Sequence, residues 1–428
     1  MAGDPTKMKT ARCLPTTASN CLVIALVLTC VGTSTRAAEP LFEKVELFKA
    51  DTDGYKLYRI PGIVVTTKNT VLAYCEARKR QRSDWATIDI MLRRSTDGGR
   101  TWSPRQKIAH VEGPKQKNPA ALAQGLATND EVTYNNPVAI VDHKTGSIHF
   151  LFCLEYMRCF YMRSDDDGLT FTPPVEITDT FARFKPDYDF KVLATGPGHG
   201  IQLDNGRLIV PVWISTGTGG HAHRPSVTSV IYSDDHGKTW ERGDIAGPDT
   251  DEFNIPNETV AVQLVDGSVL FNMRSESKAD RRLLTRSPDG ATRWTKPKFH
   301  PQLLEPICMA SMIRLSKKPS SDRNRLLFSN PDTLEARIGQ KAIPGKSRIR
   351  KNVSIKLSYD ESDTWPVTKT IEAGFSGYSD LAVTQDGTIL CFYERGSTDG
   401  VIYNTGSLAV ARLNLEWLTD GKDSLNGR

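Results

Sequence analysis

The groupings in this sequence that could do chemistry are few, and several familiar ones fail on spacing. Thr195-Gly-Pro-Gly-His-Gly200 is glycine-rich. No helical pattern follows it to aim backbone N–H groups at a phosphate, so it reads as a turn on a cavity rim. His221 and His223 suggest a metal site, yet paired histidines in a glycine-rich loop are more often just exposed. No CxxC pair and no HExxH occurs, so neither structural zinc nor zinc-protease chemistry is supported, and no metal or other cofactor is expected. Distinctive short contexts of Arg, Tyr, Asp and Glu are left. They are Tyr58-Arg59-Ile60-Pro61, Glu76-Ala77-Arg78 followed by Asp84, and Pro256-Asn257-Glu258-Thr259. Further along come Arg274 closing Val-Leu-Phe-Asn-Met-Arg, Arg350 before Lys-Asn-Val-Ser, Gly377-Tyr378-Ser379 and Tyr393-Glu394-Arg395-Gly396. Guanidinium forks suit carboxylates, and Asp, Glu and Tyr are common carriers of protons. Taken singly, a strand-end arginine is normally solvated or ion-paired, and a loop aspartate normally closes a turn.

Residues so far apart make one site only if the fold gathers them, and a repeat supplies the means. Ser-x-Asp-x-Gly-x-Thr-Trp starts at Ser95, Ser164 (ending in Phe171), Ser233, Ser287 (glycine one place early) and Ser358 (Ser362 replacing glycine). In each copy the aspartate can accept backbone N–H groups and the glycine allows positive φ, while the threonine and aromatic residue begin a strand. A strand-like run precedes every copy: IDIMLRRS, FYMRS, SVTSVIYS, LLTRS and VSIKLS. Each copy therefore reads as a hairpin turn. Spacings of 54 to 71 residues, room for four short strands, match blades of a β-propeller. Loops from distant blades then surround one axial cavity, and the repeat itself is scaffold.

Bulk properties agree with an all-β globular chain. At 39% hydrophobic and 25% charged, the 428 residues are too apolar and too charge-balanced for a disordered protein. A net charge of +5 without a dense basic block argues against nucleic-acid binding and weakly favours an acidic small substrate. The basic stretch Lys317 to Lys346 reads as solvated loop at both ends, SKKPSSDRNR and the insertion near GQKAIPGK, and not as a nucleic-acid patch. Lys7, Lys9 and Arg12, the apolar run Cys21 to Val31 and small residues to Ala38 read as a secretory signal peptide over residues 1–38. That run is too short for a membrane span, which leaves 39–428 as one domain. Cys75, Cys153, Cys159, Cys308 and Cys391 lie beyond the leader. An odd number leaves at least one thiol unpaired within the chain, and most are expected as buried free thiols, although Cys153 and Cys159 could pair locally.

Tyr58-Arg59-Ile60-Pro61 ahead of such repeats resembles the exo-α-sialidase (neuraminidase) family, over about residues 40 to 415. The motifs around Glu76, Asp84, Tyr378 and Glu394 are most similar to its lysosomal branch. The resemblance implies a six-bladed β-propeller that removes terminal sialic acid from glycoproteins, glycolipids and oligosaccharides with retention. It implies Arg59, Arg274 and Arg350 as the grip on the substrate carboxylate, with Arg348 as an alternative for the third. Glu394 would orient Arg59, and Arg78 would hold polar groups of the substrate. Tyr378 would be the nucleophile and Glu258 its base. A neutral phenol avoids the repulsion a carboxylate would meet beside the sugar's own carboxylate, and sialidases are known exceptions to the two-carboxylate pattern. Asp84, in a polar loop fit to close over a ligand, would be the general acid and base, with Asp89 a weaker substitute.

Two other readings stay open at this stage: a propeller that binds sialylated glycans without cleaving them, and a trans-sialidase with the same residues. Asn352, in Asn-Val-Ser, is the better glycosylation candidate, because Asn257 in Asn-Glu-Thr adjoins the proposed base. The resemblance points to the lysosome and to a carboxypeptidase partner. The tail Asp423-Ser-Leu-Asn-Gly-Arg428 lacks the tyrosine-based ending of lysosomal sialidases, which keeps secretion or surface retention open.

Overall fold

The structure is a computed structural model that describes residues 38–219, 221–346 and 348–425. The signal-peptide reading falls on residues 1–37, outside the described residues, apart from Ala38. Short apolar strands joined by turn sequences build mainly antiparallel sheet. Among the described residues, the α-helices are Pro119–Ala123, Thr178–Ala182 and Leu415–Leu418. No helix of these residues is long and apolar enough to cross a membrane.

Five hydrogen-bonded sheets account for the strands. The first is a meander of Leu57–Val65, Val71–Arg78, Ile88–Ser95 and Gln106–Lys107. The second runs through Tyr134–Val141, Ile148–Leu154, Arg158–Ser164 and Val175–Glu176, and Gly198–His199 adds to it in parallel. The third holds Val192–Thr195, Leu208–Ser215, Ser226–Ser233 and Glu241–Arg242, and the fourth Thr259–Gln263, Val269–Met273, Arg281–Ser287 and Lys298–Leu304. The fifth has seven strands because two meanders share the 17-residue strand Val367–Val383. One part of that strand pairs with Lys351–Ser358, the other with Ile389–Arg395. Ser407–Leu413 follows, and Phe42–Lys49 pairs onto it as the last strand.

Inner strands buried on both faces read as apolar runs, as in Val71–Arg78 and Leu208–Ser215. Their side chains form apolar clusters between successive meanders. Tyr74 and Leu92 meet Phe150 and Phe152, and Leu151 meets Leu208 and Ile231. Ile209 then meets Phe271, Leu270 meets Phe328, and Leu327 meets Cys391. Phe392 and Val410 close the series against Ile63 and Ala73 of the first sheet. Each layer is thus covered by the next and the last by the first, which makes the ring of a β-propeller.

The repeats are the hairpin turns the sequence predicts. Ser95 donates to Asp97 at 2.7 Å and accepts the Gly99 N–H at 2.8 Å. Asp97 accepts the Thr101 N–H and hydroxyl. The same bonds recur around Asp166, Asp235, Asp289 and Asp360. In the fourth copy the early glycine shortens the turn by one residue, and the Asp289–Thr292 bond survives. In the fifth, Ser362 sits at φ +77, where Gly99, Gly168 and Gly237 sit in theirs, and its buried hydroxyl has no partner. An L-residue there costs roughly 1–2 kcal/mol, partly offset by the unfolded-state entropy of glycine. Ser362→Gly is therefore expected to stabilise the fold by about 0.5–1 kcal/mol, read as a higher urea midpoint; a lower midpoint would refute the strain.

The segment 195–200 is not a rim turn. Thr195 and His199 are buried, and His199 Nδ1 lies 2.7 Å from Asp380. Close packing is why glycines are needed: a Cβ on Gly200 would come within 2.5 Å of the Ile209 carbonyl, and one on Gly198 within 2.5 Å of Met309. The five described cysteines are buried and free, with Cys153 and Cys159 directly opposite in their hairpin.

Candidate active site

Bulges in the inner strands aim the site residues. In Leu57–Val65 the register shifts between Arg59 and Gly62, and Ile60 is held at φ +59. Gly62 is obligatory there, since a Cβ would lie 2.1 Å from the Tyr74 ring. A second shift spans Asn135 to Val138, with Asn136 at φ +51. A third, between Ser376 and Ser379, turns Gly377-Tyr378 out of the ladder. Gly377 leaves room for Glu394, whose Oε2 would stand 2.3 Å from a Cβ. Ile255 and Ile307 also have positive φ, a strained state for β-branched residues that clusters at functional sites.

These devices converge on a cavity of about 420 Å³, to which every meander contributes. That volume suits a monosaccharide-sized ligand. Arg59 comes from the first sheet, Asn136 from the second, Trp213 from the third, and Glu258 and Arg274 from the fourth. Arg350 and Tyr378 come from the two halves of the fifth. No residue of the Asp-box turns lines it.

Arg59 Nε donates to Glu394 Oε1 at 2.9 Å, and Glu394 also accepts the Tyr378 N–H at 3.1 Å. One buried carboxylate therefore fixes both an arginine and the bulge that carries the tyrosine. Glu258 and Arg274 flank the Thr259–Met273 pair of neighbouring strands, so they face each other. Arg274 Nη1 lies 2.5 Å from Glu258 Oε2 and 2.7 Å from the Tyr378 hydroxyl, which donates to Glu258 Oε1 at 2.6 Å. Arg350 stacks at 5.0 Å on the Tyr378 ring and Arg59 at 5.1 Å. Arg350 Nη1 and Arg274 Nε are buried without a hydrogen-bond partner, an expensive state that a ligand acceptor would relieve. Burial pushes the Tyr378 phenol well above its ordinary range; Glu258 adds to this, and the guanidiniums of Arg274, Arg350 and Arg59 oppose it. The phenol is therefore neutral and needs a base.

Arg78 shares a strand face with Glu76 and donates to it at 2.6 and 3.0 Å. Its Nη1 reaches Asp84 at 2.6 Å. Asp84 is the more open carboxylate, its side chain 31% exposed against 10% for Glu258. Burial alone would raise its pKa. The Arg78 guanidinium, with Arg59 behind it, outweighs that and holds it well below the usual carboxylate range.

Arg59, Arg274 and Arg350, the pair Tyr378 and Glu258, Arg78 and Asp84 all line this one cavity, and Glu394 sits behind Arg59. Arg348 does not line it; it pairs with Asp280 and donates to the Leu334 carbonyl, which leaves Arg350 as the third arginine at the cavity. Asp89 also lies outside, bound by Tyr55 and Lys107. Asn257 is buried at the wall, whereas Asn352 is half-buried, its Oδ1 accepting the Gly374 N–H. The exposed-histidine reading fails for His223, whose ring is 4.7 Å from Tyr156 and 5.2 Å from both Trp85 and Trp213. Burial pushes its pKa down to about 3 against the pull of Asp84, so the imidazole is neutral. This aromatic wall, the Arg224–Glu276 pair, Arg337 and Tyr403 were not foreseen. No grouping among the described residues could hold a metal ion.

The BNR repeat-like domain family matches residues 117–391, and the BNR/Asp-box repeat matches 93–104. A sialidase of Micromonospora viridifaciens is 29% identical over 405 residues, covering 89% of this chain, while the chain spans 55% of that protein. Sialidase-2 of Rattus norvegicus is 26% identical over 383 residues, covering 85% of this chain and 95% of its own. Among solved structures, the Hadza microbial sialidase Hz136 superposes with a TM-score of 0.67 at 26% identity, covering 88% of this chain and 69% of its own.

Proposed function

Because the chain belongs to the BNR repeat-like domain family and the relatives it resembles are sialidases, we propose that it is a retaining exo-α-sialidase acting on terminal sialic acids of glycoproteins, glycolipids and oligosaccharides. The observation that carries this reading is the three-way contact of Tyr378, Glu258 and Arg274 beside the other two arginines of the grip. Arg59, Arg274 and Arg350 hold the sugar carboxylate, which satisfies the buried donors of the last two. The six-blade count takes the seven-stranded sheet as two blades divided within Val367–Val383.

In the first step the Tyr378 oxygen attacks the anomeric carbon as its proton passes to Glu258. The bond to the leaving oxygen breaks, and that oxygen takes the proton of Asp84. In the second step Asp84 removes a proton from water, which attacks the same carbon. The phenol leaves and regains its proton from Glu258. Two displacements at one carbon give net retention. A charge-neutral nucleophile is favoured here because the carboxylate it meets is already bound one atom away. Proton NMR of sialyllactose hydrolysis tests the reading: the α-anomer of free sialic acid is expected to appear first and then mutarotate. First appearance of the β-anomer, or no release at all, would overturn it.

A further inference from the structure

Seven arginines line the cavity, and their charge is unevenly matched. Five have carboxylate partners: Arg59 with Glu394, Arg78 with Glu76 and Asp84, Arg82 with Asp399, Arg224 with Glu276, and Arg274 with Glu258. Arg350 and Arg337 form no ion pair among the described residues. Arg350 donates to the Ile307 carbonyl at 2.6 Å. Arg337 donates through Nε to the Arg348 carbonyl at 3.2 Å and through Nη2 to the Tyr403 hydroxyl. Both stack on the same ring, each guanidinium 5.2 Å from the Tyr403 centroid. Arg337 is delivered by the long loop between Arg325–Pro331 and Lys351–Ser358 and is half-exposed at the cavity. The nearby Glu335 is engaged elsewhere, with Lys351.

A sialoside with a neutral leaving group brings one carboxylate, and Arg350 takes it together with Arg59 and Arg274. That leaves Arg337 unneutralised one aromatic ring away. Carboxylate and leaving oxygen are attached to the same carbon, so the leaving group emerges beside the carboxylate grip. We propose that Arg337 is an anion subsite for the leaving group, selecting substrates whose aglycone carries negative charge next to the scissile bond. The inference rests on the sialidase reading. The shared chemistry is an oxyanion on the penultimate residue, either the carboxylate of an internal sialic acid or a sulfate ester. The planar fork of arginine suits both. Tyr403 holds the fork by its hydroxyl, so the subsite is ordered before the ligand arrives.

The test compares kcat/KM on three substrates: α2,3-sialyllactose, α2,8-disialyl-lactose and a sialyllactose sulfated on galactose. Wild type, Arg337→Gln and Arg337→Lys are assayed. In Arg337→Gln the charged-to-neutral ratio is expected to fall about tenfold for at least one anionic substrate, the size of one charge-assisted hydrogen bond. Which ratio falls identifies the source of the anion. Ratios within about threefold of wild type for both anionic substrates overturn the proposal. Should the glutamine variant not fold, Arg337→Lys keeps the charge and loses the fork; an intermediate ratio supports the subsite and an unchanged one overturns it. Wild type that cleaves none of the three sinks the sialidase reading instead, and the charge preference is then read as the ratio of dissociation constants for the same sugars.

Discussion

Tyr378→Phe is expected to lower kcat/KM on a fluorogenic sialoside by roughly 10³-fold or more, the scale on which removal of a nucleophile acts. The change deletes one oxygen from a site built around it. Glu258 and Arg274 stay paired with each other at 2.5 Å, so no buried charge is orphaned. The ring still fills its place between Arg59 and Arg350. Stability should therefore move little while chemistry is lost, which separates a reactive phenol from a structural one. A variant within tenfold of wild type would remove the phenol from the reaction and return the cavity to a binding role.

Asp84→Asn should cost about 10²–10⁴-fold on sialyllactose, the usual worth of a positioned acid. The loss should be much smaller on an aryl sialoside in the first step, because a stable phenolate departs without a proton. Similar losses on both substrates would assign Asp84 to positioning alone. The electrostatics add a pH signature. In the free enzyme Arg78 and Arg59 keep Asp84 ionised well below the usual carboxylate range. Its acid form is then scarce at neutral pH, and kcat/KM should fall as pH rises. A bound sugar carboxylate neutralises part of the guanidinium field and favours protonation of Asp84. The falling limb of kcat should thus lie at higher pH than that of kcat/KM. An optimum on the acid side is expected, and a flat profile up to about pH 8 would contradict it.

Local chemistry made the scaffold legible. A serine two residues before an aspartate, with a threonine three or four residues further on, defines a turn that closes on itself, so five copies could be read without any tertiary information. Arg59, Arg274, Tyr378, Glu258 and Asp84 were legible through motif resemblance, because their contexts are short and unusual. What stayed hidden depends on three-dimensional neighbours. Tyr156 and Trp213 sit in apolar surroundings and carry no mark separating a cavity wall from a core. His223 looked exposed because its loop is polar, yet Trp85, Tyr156 and Trp213 surround it. The segment 195–200 looked like a rim because glycines are common in loops; here they permit close packing of backbone inside the ring. Arg337 could not be singled out because an unpaired guanidinium is defined only by what does not surround it.

The pairing of Phe42–Lys49 with Ser407–Leu413 also bears on biosynthesis. Val45 meets Val410, a partner that leaves the ribosome 365 residues later. At roughly 5–20 residues per second, that strand waits some tens of seconds with its edge unsatisfied. Throughout that interval the nascent chain presents an open seam to its neighbours and to chaperones, and the seam is sealed only by the final hairpin. Truncation near residue 407 would remove the clasp from the whole ring, whereas a new start point in an outer turn, with the old ends tethered, would preserve every contact.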